Sequence, residues 1–218
     1  MNTYSNSYRE ARSKMEIEAI KEMNTMIEKQ QETMIEQQKE KYKDTIVWID
    51  IETTGTDPKH DSILQIALII ADKDFNAIEE YEWIVKHKLK DVLSQADDYV
   101  KEMHTETGLW NRIEREGLPL TTIDSHIYSI LSKVYDGWKI SIGGNSVHFD
   151  MNFLTAQLKK SGQLISHRVL DISAVLQYFR VIDNKVELPK HTVSHDAIDD
   201  IRWSLKQAKA IKEKINGK

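Results

Sequence analysis

A ten-residue stretch, IVWIDIETTG at positions 46–55, places the strongest constraint on how this chain can fold. Its β-branched and aromatic residues predict a buried β-strand, and the Thr-Gly pair at its end predicts a turn. Strand side chains alternate between the two faces of a sheet, so Asp50 and Glu52 project to the same side. Two carboxylates about 4 Å apart repel by about 4 kcal/mol at an effective dielectric of about 20. Either both acids lie in solvent at a strand end, or they form half of a divalent-metal site that needs further acids.

The composition limits the other kinds of site that the chain can build. The chain contains no cysteine, which excludes disulfides, zinc–thiolate sites and thiol nucleophiles. No apolar run has the length of a membrane span, and the first residues lack the apolar segment of a secretory signal. We therefore expect a cytoplasmic protein that makes no membrane contact.

The charge balance bears on the kind of nucleic acid that the chain could bind. The net charge is −5, and no basic stripe runs along the sequence. Tight non-specific binding of a long nucleic acid normally requires many Lys and Arg residues, because the affinity comes from neutralising phosphates. A nucleic-acid substrate would therefore be short, or held mainly through metal.

The order of predicted strands and helices indicates an α/β fold with a mixed sheet. Strands are predicted within the 46–55 stretch and at 62–72, 78–86, 139–142 and 168–172. The first three have short links between them and therefore form an antiparallel meander. Residues 89–116 are expected to be irregular and helical. Further helices are predicted at 120–134, 149–160, 173–181 and about 195–214, the last with Ser194 as a plausible N-cap.

Residues 1–44 differ in composition from the rest of the chain and form a separate N-terminal helical extension in this interpretation. They are rich in Met, Glu, Gln and Lys and contain no Gly or Pro. Ile20, Met23, Ile27 and Met34 follow helical spacing, although glutamines interrupt a strict heptad. The segment is either an oligomerisation or docking arm, or a helix that rests on its own domain or is partly disordered. Residues 45–218 form the second domain.

A third acid, Asp150, lies at a predicted junction between a strand and a helix. The glycines at 143 and 144 in front of it can let the backbone approach a ligand closely. Helix starts in open α/β sheets commonly face the binding crevice. An acid in a first helical turn can also simply complement the helix dipole.

The segment SHDAIDDI at 194–201 supplies two more acids and a histidine. Asp199 and Asp200 point about 100° apart on a helix, so only one of them normally enters a given pocket. His195 is close enough in sequence to reach the same pocket from the helix start. Taken alone, it could equally be an exposed imidazole in a first turn.

Together these residues are typical of a two-metal phosphoryl-transfer site. Carboxylate oxygens suit hard cations such as Mg²⁺ and Mn²⁺, and the absence of cysteine argues against structural zinc. Two ions about 4 Å apart can activate a water and stabilise the leaving oxygen. A neutral histidine is a suitable general base for that water.

At these residues the sequence resembles the oligoribonucleases, which belong to the DEDDh exonucleases of the ribonuclease H-like fold. The motifs that carry the resemblance are WIDIETTG at 48–55, GNSVHFD at 144–150 and SHDAIDDI at 194–201. Their order and spacing match over roughly residues 45–215. A related subclass would have Tyr at position 196, where this chain has Asp, so the subclass with a catalytic His is preferred. The resemblance implies a ribonuclease H-like mixed five-stranded sheet flanked by helices, with an extra N-terminal helix.

The resemblance implies 3′→5′ hydrolysis of short single-stranded RNA, down to dinucleotides, with release of 5′-mononucleotides. Two Mg²⁺ or Mn²⁺ ions would be bound by the four acids: Asp50, Glu52, Asp150 and Asp200. His195 would deprotonate the attacking water, completing the catalytic set.

The same resemblance implies a set of substrate-binding residues and a homodimer. Ser146, Arg168 and Ser173 would hold the 5′-phosphate end of the substrate, whereas Tyr99 and His104 would lie near the bases and the 3′ end. The planar guanidinium of Arg168 suits a terminal phosphate, although a surface ion pair is an equal alternative.

Two positions depart from the family pattern, and both are expected to line the base pocket. Thr56 stands where the family has a Leu wedge, and Tyr99 stands where it has Trp. A strict preference for dinucleotides is therefore not implied.

Two alternatives to the exoribonuclease share the same residues. A DNA 3′→5′ exonuclease of the proofreading type would use all five catalytic positions on longer strands. A binding module without catalysis would have no need of four converging carboxylates. The acidic charge balance and the stretch at 145–148 favour short RNA.

Overall fold

The computed structural model describes residues 3–135, 137–190 and 194–217, with side chains from residue 15 onwards. The chain divides into two compact units, residues 1–43 and 44–218. The first unit contains one long helix, α1 (Thr3–Lys41). Residues 1 and 2 of the predicted extension lie outside the described residues.

In the described part of the second unit, five strands form one mixed sheet. They are β1 (Ile46–Thr53), β2 (Ile63–Ala71), β3 (Ala77–Ile84), β4 (Ile140–Gly144) and β5 (Ile165–Asp171). Their spatial order is β3-β2-β1-β4-β5. The first three pair antiparallel, whereas β4 is parallel to both β1 and β5. The predicted α/β fold with a mixed five-stranded sheet and an extra N-terminal helix is thus confirmed.

Helices flank this sheet. They are α2 (Leu89–Gln95), α3 (Asp98–Glu106), α4 (Leu109–Glu116), α5 (Leu120–Val134), α6 (His148–Gln157), α7 (Ile172–Val181) and α8 (Ala197–Ile215). A short 3₁₀ turn, Ser161–Leu164, connects α6 to β5. In the described residues no helix is both long enough and apolar enough to cross a membrane.

Strand β2 is buried along its whole length, so the sheet is covered on both faces at this strand. Ala67, Ile69 and Ala71 pack with Trp48 of β1 into a cluster that includes the apolar side of α8. Leu64 belongs to a second cluster with Ile84 and the helices α2 and α4. Because side chains alternate between the two faces of the sheet, every second side chain of β1 and β2 lies on the face that packs against α8.

The last helix begins two residues later than predicted. Asp196 is its N-cap residue, and the helix starts at Ala197. Ser194 does not cap it; its hydroxyl donates to Oδ1 of Asp200 at 3.2 Å. His195 has φ 48°, a left-handed conformation that a continuing helix does not allow. The turn that this residue makes is why the helix cannot extend back to Ser194.

The paired glycines of β4 serve strand packing. A Cβ on Gly143 would lie 3.1 Å from the Trp48 ring, and one on Gly144 would lie 3.0 Å from the carbonyl oxygen of Ile49. The first space is filled by β1 and the second by β1 and Val147, so strand packing requires both glycines; their close approach to a ligand stays a prediction. They allow β4 to approach β1, which brings the start of α6 close to the acids of that strand.

Candidate active site

Strand β1 directs its two acids towards the start of α8. Trp48 faces α8 in the core, and residues two and four positions further along a strand lie on the same face. Asp50 and Glu52 therefore leave the apolar core on the side where α8 begins. Glu52 is only 8% exposed, so these carboxyls are not at a solvated strand end.

Asp200 completes a compact group of three acids. One carboxylate oxygen from each of Asp50, Glu52 and Asp200 can be chosen so that all three lie within 4.8 Å of one another. Asp200 reaches the group from the first turn of α8. Its neighbour Asp199 is exposed and pairs with Arg202 at 2.8 Å. Only one of the two adjacent aspartates therefore enters the cluster, as the helical geometry requires.

Asp150 joins the cluster from the first turn of α6. It is 3% exposed, and its Oδ1 accepts a hydrogen bond from the backbone N–H of Ile51 at 3.0 Å. Ile51 lies between the two acids of β1, so this bond ties the start of α6 to the acidic end of the strand. Asp150 is not one of the three acids in the group within 4.8 Å, but its charge acts directly on Asp50.

Burial and mutual repulsion make these carboxyls weak acids. Desolvation, followed by the charges of Asp150, Glu52 and Asp200, raises the pKa of Asp50 well above its usual value. Burial and the same kind of repulsion raise the pKa of Glu52 to about 8. Burial also raises the pKa of Asp150 to about 8, although the hydrogen bond from Ile51 opposes the rise. The cluster is thus a concentration of negative charge that is unfavourable by itself.

The donor set fits a hard divalent cation. Every candidate ligand is a carboxylate oxygen, the type that Mg²⁺ and Mn²⁺ prefer. The charged neighbours that act on Asp50 within the described residues are all acids, so no basic side chain neutralises it there. A cation would supply the missing positive charge, and carboxyls with raised pKa values would lose their protons on binding it.

His195 lies beside the cluster, just before α8. It is half-buried, and its charge acts on His104, whose Nε2 lies 3.8 Å from Oε2 of Glu52. The positive φ of His195 turns the chain between the loop and the helix. The histidine therefore lies between Ser194, whose hydroxyl contacts Asp200, and the start of α8.

His104 is buried beneath the cluster and not on its surface. It is 0% exposed, and its Nε2 lies 3.2 Å from the carbonyl oxygen of Thr53. Burial, together with the charge of His195, lowers the pKa of His104 and keeps the ring neutral. Trp110 packs edge-on against this ring. The polar contacts of His104 are with β1, and the expected contact of His104 with substrate stays a prediction.

The two predicted serines, Ser146 and Ser173, lie close together. The Ser146 and Ser173 hydroxyls are 3.5 Å apart, and the Ser173 hydroxyl donates to Oδ1 of Asn145 at 3.1 Å. Asp171, the N-cap of α7, accepts from the backbone N–H of Ser146 at 3.2 Å and fixes this loop. Ser173 thus lies in the first turn of α7, where the carboxylate of Asp171 also accepts the backbone N–H of Ala174.

The remaining predicted substrate-binding residues are exposed on separate elements. Arg168 is on β5, Tyr99 is on α3 with 66% of its surface exposed, and Thr56 follows the end of β1. No side-chain contact joins Arg168 to the two serines in the described part of the chain. Their roles stay predictions.

A polar network that the sequence analysis missed holds the start of α8. The side-chain amide of Gln65 donates to Oε1 of Glu82 at 2.6 Å and to Oδ2 of Asp196 at 3.2 Å. Its carbonyl oxygen accepts from the backbone N–H of Ala197 at 3.4 Å. The guanidinium of Arg112 lies 2.7 Å from Glu82 and 3.5 Å from Asp196. The sequence feature that could have indicated this network is Gln65, a single polar residue within an apolar strand.

Comparisons with known proteins agree with this geometry. The exonuclease family model RNase_T matches residues 47–208. An oligoribonuclease from Francisella tularensis subsp. novicida is 32% identical over 79% of this chain and 96% of its own length. A probable oligoribonuclease from Dictyostelium discoideum is 28% identical over 76% of this chain and 87% of its own. A Neisseria meningitidis oligoribonuclease is 29% identical over 78% of this chain and 92% of its own.

Solved structures support the fold. Exonuclease I from Methylocaldum szegediense superposes with a TM-score of 0.58 at 20% identity over 78% of this chain. This chain spans 40% of that protein. A zinc-bound complex of Escherichia coli exonuclease I with single-stranded DNA gives a TM-score of 0.56, also at 20% identity, over 78% of this chain and 41% of the other. The family match over most of the chain, together with the sheet and its acids, shows that this protein belongs to the exonuclease family that includes the oligoribonucleases.

Proposed function

We propose that the chain is a metal-dependent 3′→5′ exoribonuclease that hydrolyses short oligoribonucleotides to 5′-mononucleotides. The observation that carries this proposal is the convergence of acids from β1, α6 and α8 on one buried end of the sheet. A catalytically inactive binding module would retain the cost of their repulsion without a function for it. The oligoribonuclease relatives match over nearly their whole length, which favours short RNA as the substrate.

In this proposal Asp50, Glu52, Asp150 and Asp200 hold two Mg²⁺ or Mn²⁺ ions. When bound, the ions supply positive charge that activates a water and stabilises the leaving oxygen. Ser194 donates a hydrogen bond to Asp200 and restricts the rotation of its carboxylate. The backbone N–H of Ile51 does the same for Asp150. The protein thus fixes two of its four ligands before any substrate arrives.

His195 is the proposed general base. It would take the proton of the attacking water at a ring nitrogen, and its half-buried position leaves it accessible to that water. The scissile phosphate would lie between the acids and this imidazole. The 3′-terminal nucleotide would then leave as a 5′-monophosphate, and the shortened strand would keep a 3′-hydroxyl.

Ser146 and Ser173 are proposed to hold the 5′-phosphate end of the substrate, with Arg168 as a further ligand. The two hydroxyls are close enough to donate to one phosphate. Thr56, Tyr99 and His104 are proposed to contact the bases and the 3′ end. We also propose a homodimer on the basis of the family resemblance.

The direct test measures cleavage of matched RNA two-mers and twenty-mers with Mn²⁺, using wild type, Asp200→Asn and Asp199→Asn. We expect the wild type to release 5′-monophosphates from the 3′ end and to cleave the two-mer efficiently. Asp200→Asn should lose at least about 100-fold in rate, because it removes a charge from the ligand group. The adjacent exposed Asp199→Asn is the matched control and should keep its activity. Equal rates for the two variants would refute the assignment.

A DNA 3′→5′ exonuclease is the second candidate, because structures with this fold include an exonuclease I bound to single-stranded DNA. Matched DNA two-mers and twenty-mers in the same assay distinguish the two functions. Faster cleavage of the DNA twenty-mer than of any RNA would establish the second candidate. Complete survival of every oligonucleotide with Mn²⁺ would establish the binding module.

A further inference from the structure

The start of α8 lacks the local cap that its sequence would allow. Asp196 is the N-cap residue, and an aspartate in this position commonly accepts a hydrogen bond from a backbone N–H of the first helical turn. The Asp196 side chain makes no such bond. Since the first N–H groups of a helix have no acceptor inside it, the start of α8 depends on acceptors from outside the helix.

Gln65 supplies such an acceptor from strand β2. Its side-chain carbonyl oxygen accepts a hydrogen bond from the backbone N–H of Ala197, the first residue of α8, at 3.4 Å. The two residues are 132 positions apart in the sequence, and Gln65 is 1% exposed. The helix is thus capped by a buried side chain of the sheet and not by its own N-cap residue.

The same side chain also holds the N-cap residue. Its amide nitrogen donates to Oδ2 of Asp196 at 3.2 Å and to Oε1 of Glu82 at 2.6 Å. This position therefore requires donors for two carboxylates and an acceptor for one N–H. An ionised glutamate has no donor, and lysine and arginine have no acceptor, whereas glutamine has both. These contacts explain why a neutral amide stands at this point of an apolar strand.

The strand register places Gln65 beside the acidic cluster. Gln65 pairs with Glu52 across β2 and β1. Directly opposed residues of an antiparallel pair lie on the same face of the sheet, with Cβ atoms about 5 Å apart. The side chain that caps α8 is therefore the cross-strand neighbour of a carboxylate in the cluster, and it ties the start of the helix to that point of the sheet.

Two groups of the proposed active site lie on either side of the capped residues. His195 directly precedes Asp196, and Asp200 lies in the first turn of α8, where its backbone N–H donates to the carbonyl oxygen of Asp196 at 3.0 Å. The positions of both groups therefore depend on where Asp196 and Ala197 are held. A shift of reacting groups by about 1 Å can lower a rate about 100-fold.

We propose that Gln65 is a positioning residue for the hydrolysis: by capping α8 from β2 it sets His195 and Asp200 against the acids of β1. The catalytic part of this role rests on the proposed function, whereas the capping contact does not. A separate ion pair, between Arg202 and Glu80 at 2.6 Å, joins α8 to β3. Loss of the Gln65 cap should therefore loosen the first turn of α8 and leave the rest of the helix in place.

Gln65→Met removes the cap, because methionine has a similar length and lacks the N–H and carbonyl groups of the amide. Asp124→Asn is the matched control. Asp124 is a buried side chain of α5 that accepts the backbone N–H groups of Lys160 and Ser161, and it lies outside the proposed active site. Both substitutions weaken buried hydrogen bonds between distant segments, but only Gln65→Met affects the start of α8.

Steady-state assays with an RNA two-mer at saturating Mn²⁺ measure the catalytic effect. We expect Gln65→Met to lower kcat at least about tenfold and to change KM less than about threefold, because misplaced groups act on the transition state more than on substrate binding. Calorimetry without substrate should show that the Kd for Mn²⁺ rises at least about tenfold, because Asp200 is among the proposed ligands. Asp124→Asn should leave all three values nearly unchanged.

Amide hydrogen exchange in the metal-free full-length protein measures the cap itself and does not depend on any activity. NMR would compare the exchange rate at Ala197 with the rate at Ala208, a buried residue further along α8. We expect Gln65→Met to raise the ratio of the two rates at least about tenfold, because the Ala197 N–H loses its acceptor while the later turns stay docked. An unchanged ratio would show that Gln65 does not cap the helix and would overturn the proposal.

Gln65→Glu tests the need for the amide and provides a second variant if Gln65→Met fails to fold. It keeps the size of the side chain and the acceptor for Ala197, but it replaces the donors with a third carboxylate beside Glu82 and Asp196. We expect kcat to fall at least about tenfold here as well. Wild-type kcat in Gln65→Glu, or in a folded Gln65→Met, would overturn the proposal.

Two further outcomes separate this role from the proposed function. An equal loss of kcat in Asp124→Asn would show that the rate follows general stability, which would overturn the positioning role. A wild type that cleaves no oligonucleotide would refute the proposed function alone. The exchange ratio and the Kd for Mn²⁺ would then decide whether Gln65 positions the start of α8, since neither depends on catalysis.

Discussion

Removal of one charge from the acidic cluster should stabilise the metal-free protein and impair its activity. The informative substitution is Glu52→Gln, which keeps the size of the side chain and removes its titration. Glu52 is 8% exposed, and its pKa is raised from 4.5 to about 8. Glu102→Gln is the matched control, because Glu102 is an exposed glutamate on α3, outside the cluster.

The size of the effect follows from two separate arguments. A carboxylate within 4.8 Å of another repels it by about 3 kcal/mol at an effective dielectric of about 20. A shift in the pKa of Glu52 from 4.5 to about 8 corresponds to about 5 kcal/mol. Both arguments indicate that ionised Glu52 lowers the free energy of unfolding of the metal-free protein by a few kcal/mol.

The sign of the pH dependence is fixed by the direction of the shift. Between pH 4.5 and about 8, Glu52 is protonated in the folded chain and ionised in the unfolded chain. The folded state then binds more protons, so the free energy of unfolding falls as the pH rises through this window. The penalty is absent below pH 4.5 and fully present above pH 8. The Glu52→Gln variant lacks this contribution.

Urea unfolding, followed by tryptophan fluorescence in the presence of a chelator, measures the difference. At pH 8.5 we expect Glu52→Gln to be more stable than the wild type by about 3–5 kcal/mol, with the gap nearly closed at pH 4.5. Saturating Mn²⁺ at pH 8.5 should stabilise the wild type more than the variant, because ligand binding to the folded state adds to its stability. A gap that is independent of pH would refute the electrostatic reasoning. Glu102→Gln should show no such gap.

Three further predictions concern the surroundings of the cluster. Asn tolerates the left-handed backbone at position 195, where φ is 48°. His195→Asn should therefore lower kcat about 10²–10⁴-fold and leave KM nearly unchanged in steady-state assays. An unchanged kcat would exclude the base role. Arg112→Gln should lower the free energy of unfolding by about 1–3 kcal/mol in urea titrations, because Glu82 and Asp196 lose a charged partner, whereas the exposed Arg115→Gln should not. The affinity for Mn²⁺, measured by calorimetry, should rise from pH 6 to pH 8, because carboxyls with pKa values of about 8 must lose protons; a pH-independent affinity would argue against Glu52 and Asp150 as ligands.

The sheet could be predicted because its sequence signals are local. β2 is an apolar run that only Gln65 interrupts, and the short links on either side of it leave only antiparallel pairing for the first three strands. The start of α8 was mispredicted because residues 194–196 resemble an N-terminal capping segment in sequence. The left-handed turn at His195 depends on contacts that adjacent residues do not reveal.

The acids of the site could be proposed from the sequence because strand and helix periodicity determine which residues share a face. Asp50 and Glu52 had to point the same way, and only one of Asp199 and Asp200 could point with them. The positions of His104 and Arg168 could not be derived in this way. His104 is buried and Arg168 is exposed because of how distant elements pack, and no local sequence pattern predicts that packing.

The network around Gln65 shows how the fold retains a site that opposes its own stability. Gln65 lies on the α8 face of β2, so its amide reaches both Asp196 and the first N–H of α8. Arg112 lies 3.5 Å from Asp196, whose charge also acts on Asp50. The Arg112 guanidinium compensates part of the repulsion among the acids. It does not pair with Asp50, whose charge is left for a metal ion to neutralise. The start of α8 is therefore held by residues outside the acidic group, and the group itself can remain charged and available to ligands.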